Sequence, residues 1–394
     1  CIPTKSYYKT ASLLKEIKEF HEFGVSGNFK FDFSKNLIRK DNIIQKLTEG
    51  IKYLLKKAGV ELIYGEAVLN NSTSVLVNEE LYEGRNIVIA TGSRPAKLPF
   101  GDIHNFDIIT STEILSEKSV PKKLVIIGGG VVGIEIASIF NQFGSEVEVI
   151  EAMDNILPQM DKEISKRLMA YLKIQGIKFH LSARVDDIVG KKVFYTKKES
   201  ENALAFDKLL IAVGRKPNIE NIGLESIGIR FDKKGIIVNS DFQTNIPNIY
   251  AIGDVTGKMM LAHSATYSGY HVLKHILKEK SEIDFSILPS CVFSFPEIAS
   301  VGLTEEECQN LNSRSYKYQF QGNGKALSSG ATEGFVKIVS VDNIIKGVHI
   351  IGANASDIIH QAVVLLNKNA SINDLNEMIF AHPTLSEALG HCLR

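Results

Sequence analysis

Leu124-Val125-Ile126-Ile127-Gly128-Gly129-Gly130-Val131-Val132-Gly133 decides how this chain is read. Four apolar residues in succession spell a strand buried on both faces. They run straight into a Gly-x-Gly-x-x-Gly turn, after which apolar positions continue at helical spacing through Phe143. Each glycine has its own task at such a turn. Gly128 permits the tight bend, Gly130 lets the backbone come close to a pyrophosphate, and Gly133 lets the helix lie against the strand. Free N–H groups at the helix start, with the helix dipole behind them, attract the anion. The spacing alone is a weak signal, and its position between a buried strand and a helix gives it weight. Glu151 then closes the next strand, Glu146-Val147-Glu148-Val149-Ile150-Glu151. Its carboxylate accepts hydrogen bonds from a ribose diol and repels a 2′-phosphate, so the turn reads as a site for NAD rather than NADP. The bland alternative is a structural glycine turn in another α/β protein.

Around this unit the chain is long. Its 394 residues exceed one ordinary core, and about two to four domains are expected. The hydrophobic fraction of 44% and charged fraction of 23% are those of a globular protein. Lys+Arg and Asp+Glu both number 45, so nothing marks a nucleic-acid footprint. No apolar run reaches the ~20 residues of a membrane span. Four scattered cysteines, Cys1, Cys291, Cys308 and Cys392, make neither a disulfide scaffold nor a zinc site, and no metal is expected. A reducing compartment follows from that usage, the cytoplasm or, in a eukaryote, the mitochondrial matrix.

Periodicity predicts helices over 6–24 and 35–58, then short strands at 61–64, 74–77 and 86–90. After the glycine unit it predicts a helix at 161–174, strands near 177–181 and 207–213, a strand at 248–253 and a helix over 262–279. From Ser290 the pattern turns to β, and two helices near 355–368 and 372–379 follow. Two breakers echo one another, Ala90-Thr91-Gly92-Ser93-Arg94-Pro95 and Ala212-Val213-Gly214-Arg215-Lys216-Pro217, as if two related nucleotide domains each ended a strand the same way.

Other residues carry chemistry but stay open when taken singly. Asp254, at the end of Tyr250-Ala251-Ile252-Gly253, is placed either to bind a hydroxyl-rich ligand or to cap the next helix. Cys1, beside Pro3 and Lys5 at a helix start, is either a thiol of lowered pKa or a terminal cysteine without a role. His382, with Glu387 five residues on across a proline turn, is either an oriented acid–base dyad or a surface histidine. His263 is ambiguous in the same way. Cys291, Cys308 and Cys392 read as inert.

Joined in order, these segments say more. Cys1-Ile2-Pro3-Thr4-Lys5-Ser6, the two breakers, the Gly128 turn, Ala251-Ile252-Gly253-Asp254, Phe295-Pro296-Glu297-Ile298-Ala299-Ser300-Val301-Gly302 and His382-Pro383-Thr384-Leu385-Ser386-Glu387 stand as they do in the flavoprotein disulfide reductases. The whole chain resembles this family of pyridine nucleotide–disulfide oxidoreductases, its dihydrolipoamide-oxidising branch above all. The resemblance implies an α/β fold class, with two Rossmann-like nucleotide-binding domains for FAD and NAD plus an α+β C-terminal dimerisation domain. The parts expected are an FAD domain over 1–95, an NAD domain over 96–220, a central domain over 221–289 and an interface domain over 290–394.

The same resemblance implies roles. Cys1 is the redox cysteine nearest the flavin, and Lys5 lies beside the flavin paired with Glu135, where a fixed positive charge favours reduced, anionic flavin. Gly65, Thr91, Gly92, Ser93, Asp254, Met260, Leu261, Ala262 and His263 match FAD-contacting positions. Gly128, Gly130, Gly133, Glu151, Val185 and Gly214 match the NAD site. His382, oriented by Glu387, is the base that acts at the disulfide of the partner subunit, so the enzyme is a homodimer. The implied cycle is ping-pong. A dithiol loses its proton to His382, and electrons pass by way of Cys1 and FAD to NAD⁺. The implied partners are lipoyl domains of 2-oxo-acid dehydrogenase or glycine cleavage complexes. The family pairs its cysteine with an earlier one in Cys-x-x-x-x-Cys and places a first strand–glycine turn–helix before it. Neither is present in these residues, and the natural protein is expected to be longer at its N-terminus. The alternatives are another disulfide reductase, acting on glutathione or coenzyme A disulfide, and a non-catalytic NAD-binding module. Glu151 argues against an NADP-linked glutathione reductase, and a C-terminal segment without a vicinal cysteine pair argues against mercuric reductase.

Overall fold

The buried run Lys123–Ile127 is the central strand of a five-stranded sheet in the computed structural model, which describes residues 1–99 and 107–393. The order is Ile108–Thr110, Lys208–Ile211, Lys123–Ile127, Glu146–Ile150, Lys178–His180, with every neighbour parallel. Parallel neighbours need crossovers, and the helices Val131–Phe143 and Lys162–Ile174 supply two of them. Both sheet faces are covered, so Leu124, Val125, Ile126, Val147 and Val149 are fully buried, as their unbroken apolar run requires. The Val131–Phe143 helix is apolar nearly all round and is buried along most of its length.

Two features of this sheet were not visible beforehand. Lys208–Ile211, late in sequence, inserts next to Lys123–Ile127. Ahead of it stands a three-stranded antiparallel sheet, Ala183–Val189, Lys192–Lys197 and Ser200–Ala205.

Two compact units emerge. One contains residues 1–47, 97–213 and 286–394, and the other 48–96 and 214–285. The first holds the parallel sheet and a five-stranded antiparallel sheet in the order Ser290–Val292, Ile298–Gly302, Ile344–Ile351, Phe335–Val341, Ser313–Gln319. The helix Ala355–Asn367 packs on that second sheet over a core that includes Val336, Ile338, Val348, Ile350 and Ile359. In the other unit the meander Ala67–Asn71, Ser74–Val77, Glu80–Glu83 accompanies a short parallel pair, Ile87–Ile89 with Ile249–Ala251.

The predicted strand at 61–64 does not form. Glu61, Leu62, Ile63 and Tyr64 are all exposed, and among the described residues no strand pairs with them to take their backbone hydrogen bonds. The echoing breakers do meet, in an unforeseen way. Ser93–Pro95 and Arg215–Pro217 pair antiparallel as a two-stranded ribbon. No helix among the described residues is long and apolar enough to cross a membrane.

Candidate functional site

The glycine turn is built as its spacing demands. Gly128 has φ +111°, and a Cβ there would stand 2.3 Å from the Ala212 carbonyl oxygen. A Cβ on Gly133 would stand 2.0 Å from the Gly128 carbonyl oxygen, so helix and strand touch through bare backbone. Gly130 differs. It precedes the helix without a side-chain cap, and a Cβ there would meet nothing within 4 Å. That glycine keeps space open over free N–H groups, which fits a pyrophosphate. Glu151 lies at the strand end as expected, and it is also part of the turn. One oxygen accepts from Gly129 N at 2.5 Å and the other from Met153 N at 2.8 Å. The carboxylate thus ties the glycine loop to the loop that follows it. Val185 lies in the strand Ala183–Val189, half-buried just before an irregularity in its pairing.

A second cluster sits in the same unit, on the helix Ile2–Glu19. Lys5 Nζ lies 2.8 Å from both carboxylate oxygens of buried Glu135. Sequence reading missed the third member. Phe293 donates its N–H to Glu135 at 3.0 Å, and its ring lies 4.0 Å from the Lys5 ammonium. One residue therefore holds both halves of the pair, through a hydrogen bond and a cation–π contact. Cys1 occupies the position just before this helix and is exposed. The other thiols are quiet. Burial pushes Cys291 up to about 11 and Cys392 up to about 12, and raises Cys308.

His382 and Glu387 do form a dyad. His382 Nδ1 lies 2.9 Å from one Glu387 oxygen, and the other oxygen accepts from Thr384 N at 2.7 Å. Those two hydrogen bonds, from the Thr384 amide first and from His382 second, hold Glu387 below its ordinary value. A carboxylate only accepts, so Nδ1 carries the proton and Nε2 is left as the free base. The ring is 77% exposed, whereas Glu387 is largely enclosed. No hydrogen bond or ion pair among the described residues joins this dyad to the Lys5–Glu135 pair.

In the second unit, Ser93 donates to Asp254 at 2.5 Å, and Arg215 reaches the Ser93 hydroxyl and carbonyl oxygens at 2.7 Å each. Asn218 stitches the Thr91–Gly92 segment, receiving from Thr91 Oγ1 at its carbonyl and donating its N–H to the Gly92 carbonyl. Gly92 has φ +71° and open space at its Cβ position. Gly214 also has positive φ, at +116°, and accepts from Ala96 N. Asp254 does not cap the Ala262–Ile276 helix. Leu261 precedes that helix without a side-chain cap, Met260 is half-buried, and Ala262 and His263 are exposed in its first turn. A carboxylate, a hydroxyl and an uncapped helix start suit a ligand with hydroxyl and phosphate groups. Gly65 is confined instead, since a Cβ there would meet the Asn78 side chain at 2.5 Å. Arg215 was hidden inside the second breaker and Asn218 directly after it; the only clue to them was the likeness of that breaker to the first.

Comparison with known proteins identifies the family. Residues 1–269 match the model of the pyridine nucleotide-disulphide oxidoreductases, and residues 288–392 match the dimerisation domain of the same enzymes. The chain belongs to the pyridine nucleotide-disulphide oxidoreductase family. A dihydrolipoyl dehydrogenase of Bacillus subtilis is 35% identical over all of this chain and 89% of its own length. A mitochondrial dihydrolipoyl dehydrogenase of Arabidopsis thaliana is 37% identical over 99% of the chain and 80% of its own. Among solved structures, the HOCl-induced flavoprotein disulfide reductase RclA of Escherichia coli superposes with a TM-score of 0.89 at 27% identity, over the full chain and 89% of the other. LpdA of Mycobacterium tuberculosis shares the fold, with a TM-score of 0.91 at 24% identity over the full chain and 89% of the other. Family membership makes the chain part of an oxidoreductase with a dimer-forming domain, as the ordered segments implied.

Proposed function

We propose that this chain oxidises dihydrolipoamide with NAD⁺ as the final acceptor, working as a homodimer. The names and whole-length likeness of its relatives support the substrate class, and Glu151 supports NAD. The observation that carries the reading is the His382–Glu387 dyad. It fixes the imidazole tautomer and presents a base able to take a thiol proton.

The parts then divide the work over 1–95, 96–220, 221–289 and 290–394. The uncapped helix start at Gly130 and the carboxylate of Glu151 hold NAD, with Gly128, Gly133, Val185 and Gly214 shaping its bed. Thr91, Gly92, Ser93, Asp254 and the Met260-Leu261-Ala262-His263 segment hold FAD, with Gly65 nearby in sequence. When bound there, FAD would supply the two-electron redox chemistry that links a dithiol to the nicotinamide. Glu135 and Phe293 fix the Lys5 ammonium, which would place a positive charge beside the flavin, and Cys1 would be the redox cysteine nearest to it. Lipoyl domains of 2-oxo-acid dehydrogenase or glycine cleavage complexes are the partners, in a reducing compartment.

The test is NADH formation by the flavin-loaded full-length protein with dihydrolipoamide, and the reverse reaction with glutathione disulfide and coenzyme A disulfide. Turnover confined to dihydrolipoamide is expected. Turnover with either of the other disulfides and none with dihydrolipoamide would overturn the assignment.

A further inference from the structure

A cavity of about 160 Å³, which shares no lining residue with either the Lys5–Glu135 or the His382–Glu387 cluster, lies inside the unit that carries the parallel sheet. Its walls come from the segment before the Lys162–Ile174 helix (Gln159, Asp161), from the antiparallel sheet (Ser300, His349) and from the turn after it (Thr304, Glu307). Ser300 pairs in register with His349, and His349 with Lys337, on three neighbouring strands. The three side chains therefore form a row on one sheet face.

The row is polar and nearly sealed, yet it is left unfinished. Lys337 bonds Asp161 at 2.9 Å and reaches Glu163 and Glu305. His349 is 1% exposed and its Nε2 lies 3.0 Å from the Leu303 carbonyl oxygen. A carbonyl only accepts, so Nε2 carries the proton and Nδ1 is a bare lone pair. Among the described residues Nδ1 has no partner, and the buried Ser300 hydroxyl has none either. A buried acceptor without a donor costs about 1–3 kcal/mol; the Nδ1 lone pair is one, and beside it on the cavity wall the Ser300 hydroxyl can accept as well as donate, so a donor inside the cavity would meet both.

The charge around the cavity narrows what that donor is. Asp161, Glu163 and Glu305 surround Lys337, Lys317 pairs with Glu163, and Glu307 lines the cavity, so carboxylates outnumber ammonium groups four to two. Among the described residues no group of three His, Cys, Asp or Glu side chains is placed to hold a metal ion. Directional N–H donors with a positive charge satisfy both constraints. The volume equals about five waters at ~30 Å³ each, enough for an ammonium group on a chain of two or three carbons. We propose that this cavity is a binding site for a small primary ammonium ion, held by His349 Nδ1, the Ser300 hydroxyl and the free oxygen of Glu307. Its occupant bridges the segment that begins the Lys162–Ile174 helix to the antiparallel sheet.

Equilibrium dialysis of the whole protein against radiolabelled methylammonium tests this, with radiolabelled tetramethylammonium as the control that has charge but no N–H. One methylammonium per chain is expected, saturable and not displaced by sodium chloride at equal ionic strength. Tetramethylammonium should be retained at least tenfold less. Ser300→Ala and His349→Phe should each weaken methylammonium retention at least tenfold. Equal retention of the two ions by the unaltered protein, or none of either, overturns the proposal whether or not the variants fold. Retention unchanged in both folded variants overturns it as well.

Discussion

Lys5 and Lys337 are each held by a buried carboxylate in the same unit, yet the two pairs differ in what surrounds them. Lys337 and Asp161 are 2% and 0% exposed, and Glu163 and Glu305 complete the shell around the lysine. Lys5 keeps 28% of its side chain accessible, with a single carboxylate and an aromatic ring as its fixed partners. A sealed pair has its charges spent on each other, and its energy goes into the fold. A half-open pair retains a field that acts on whatever is placed beside it. His382 is further along the same scale, with an exposed base on an enclosed carboxylate.

The largest expected effect tests the open end of that scale. His382→Ala should lower dihydrolipoamide turnover about 10²–10⁴-fold, while the unfolding free energy from urea titration stays within about 0.5 kcal/mol of its original value. A variant with full turnover would remove the base from the mechanism. At the sealed end, Lys337→Met leaves three carboxylates around a buried methyl group. It should cost about 3–5 kcal/mol of unfolding free energy in urea titration. A cost below about 1 kcal/mol would class the pair with surface bridges and erase the contrast.

Lys5→Met lies between them. Turnover should fall at least about tenfold, equivalent to 1.4 kcal/mol in the barrier, with a stability loss of only about 1–2 kcal/mol. A stability loss as large as that of Lys337→Met would show that both pairs are structural.

The smallest effect is in the pH profile of thermal unfolding. Burial pushes Asp161 up, but Lys337 and the helix N–H groups outweigh it and hold its carboxyl below the ordinary value. The folded value is the lower one, so this stabilisation is present above the unfolded value of about 3.9 and is lost as pH falls through the folded value. His349 is also held below its ordinary value, by burial first. There the unfolded chain binds the extra proton, so stability declines as pH drops below about 6.5. His349→Gln should flatten the profile just below about pH 6.5 and leave the acid limb set by Asp161, below about pH 4, in place. An unchanged slope in the upper window would mean that His349 titrates alike in both states.

What could be read beforehand depended on how far apart in sequence the deciding atoms lie. Gly128 to Gly133 and the helix after them were legible because their constraint is steric and local. The His382–Glu387 dyad was legible for the same reason, across five residues. Leu62-Ile63-Tyr64 misled because strand-like side chains do not create a partner strand. The sheet Ala183–Val189, Lys192–Lys197, Ser200–Ala205 was missed because its half-exposed strands alternate apolar with charged residues too irregularly to stand out. Phe293, Arg215 and Asn218 were out of reach, because each acts on a group more than 120 positions away. Lys337 and Asp161 are 176 apart. Of the candidate site, the residues proposed to face ligands were named from motif order together with Glu135 and Glu387 as partners, and Phe293, Arg215 and Asn218 were found only in three dimensions.

The position of Lys208–Ile211 in the parallel sheet sets a timetable. This strand lies between Ile108–Thr110 and Lys123–Ile127, which leave the ribosome long before it does. At about 5–20 residues per second, the ~100 residues between the first of these strands and the last take on the order of 5–20 s to synthesise. Throughout that interval Lys123–Ile127 has one edge without its partner, although its glycine turn and helix are complete. The nucleotide turn is therefore made early and closed late, and a chaperone or the cofactor itself would meet it with one side still open.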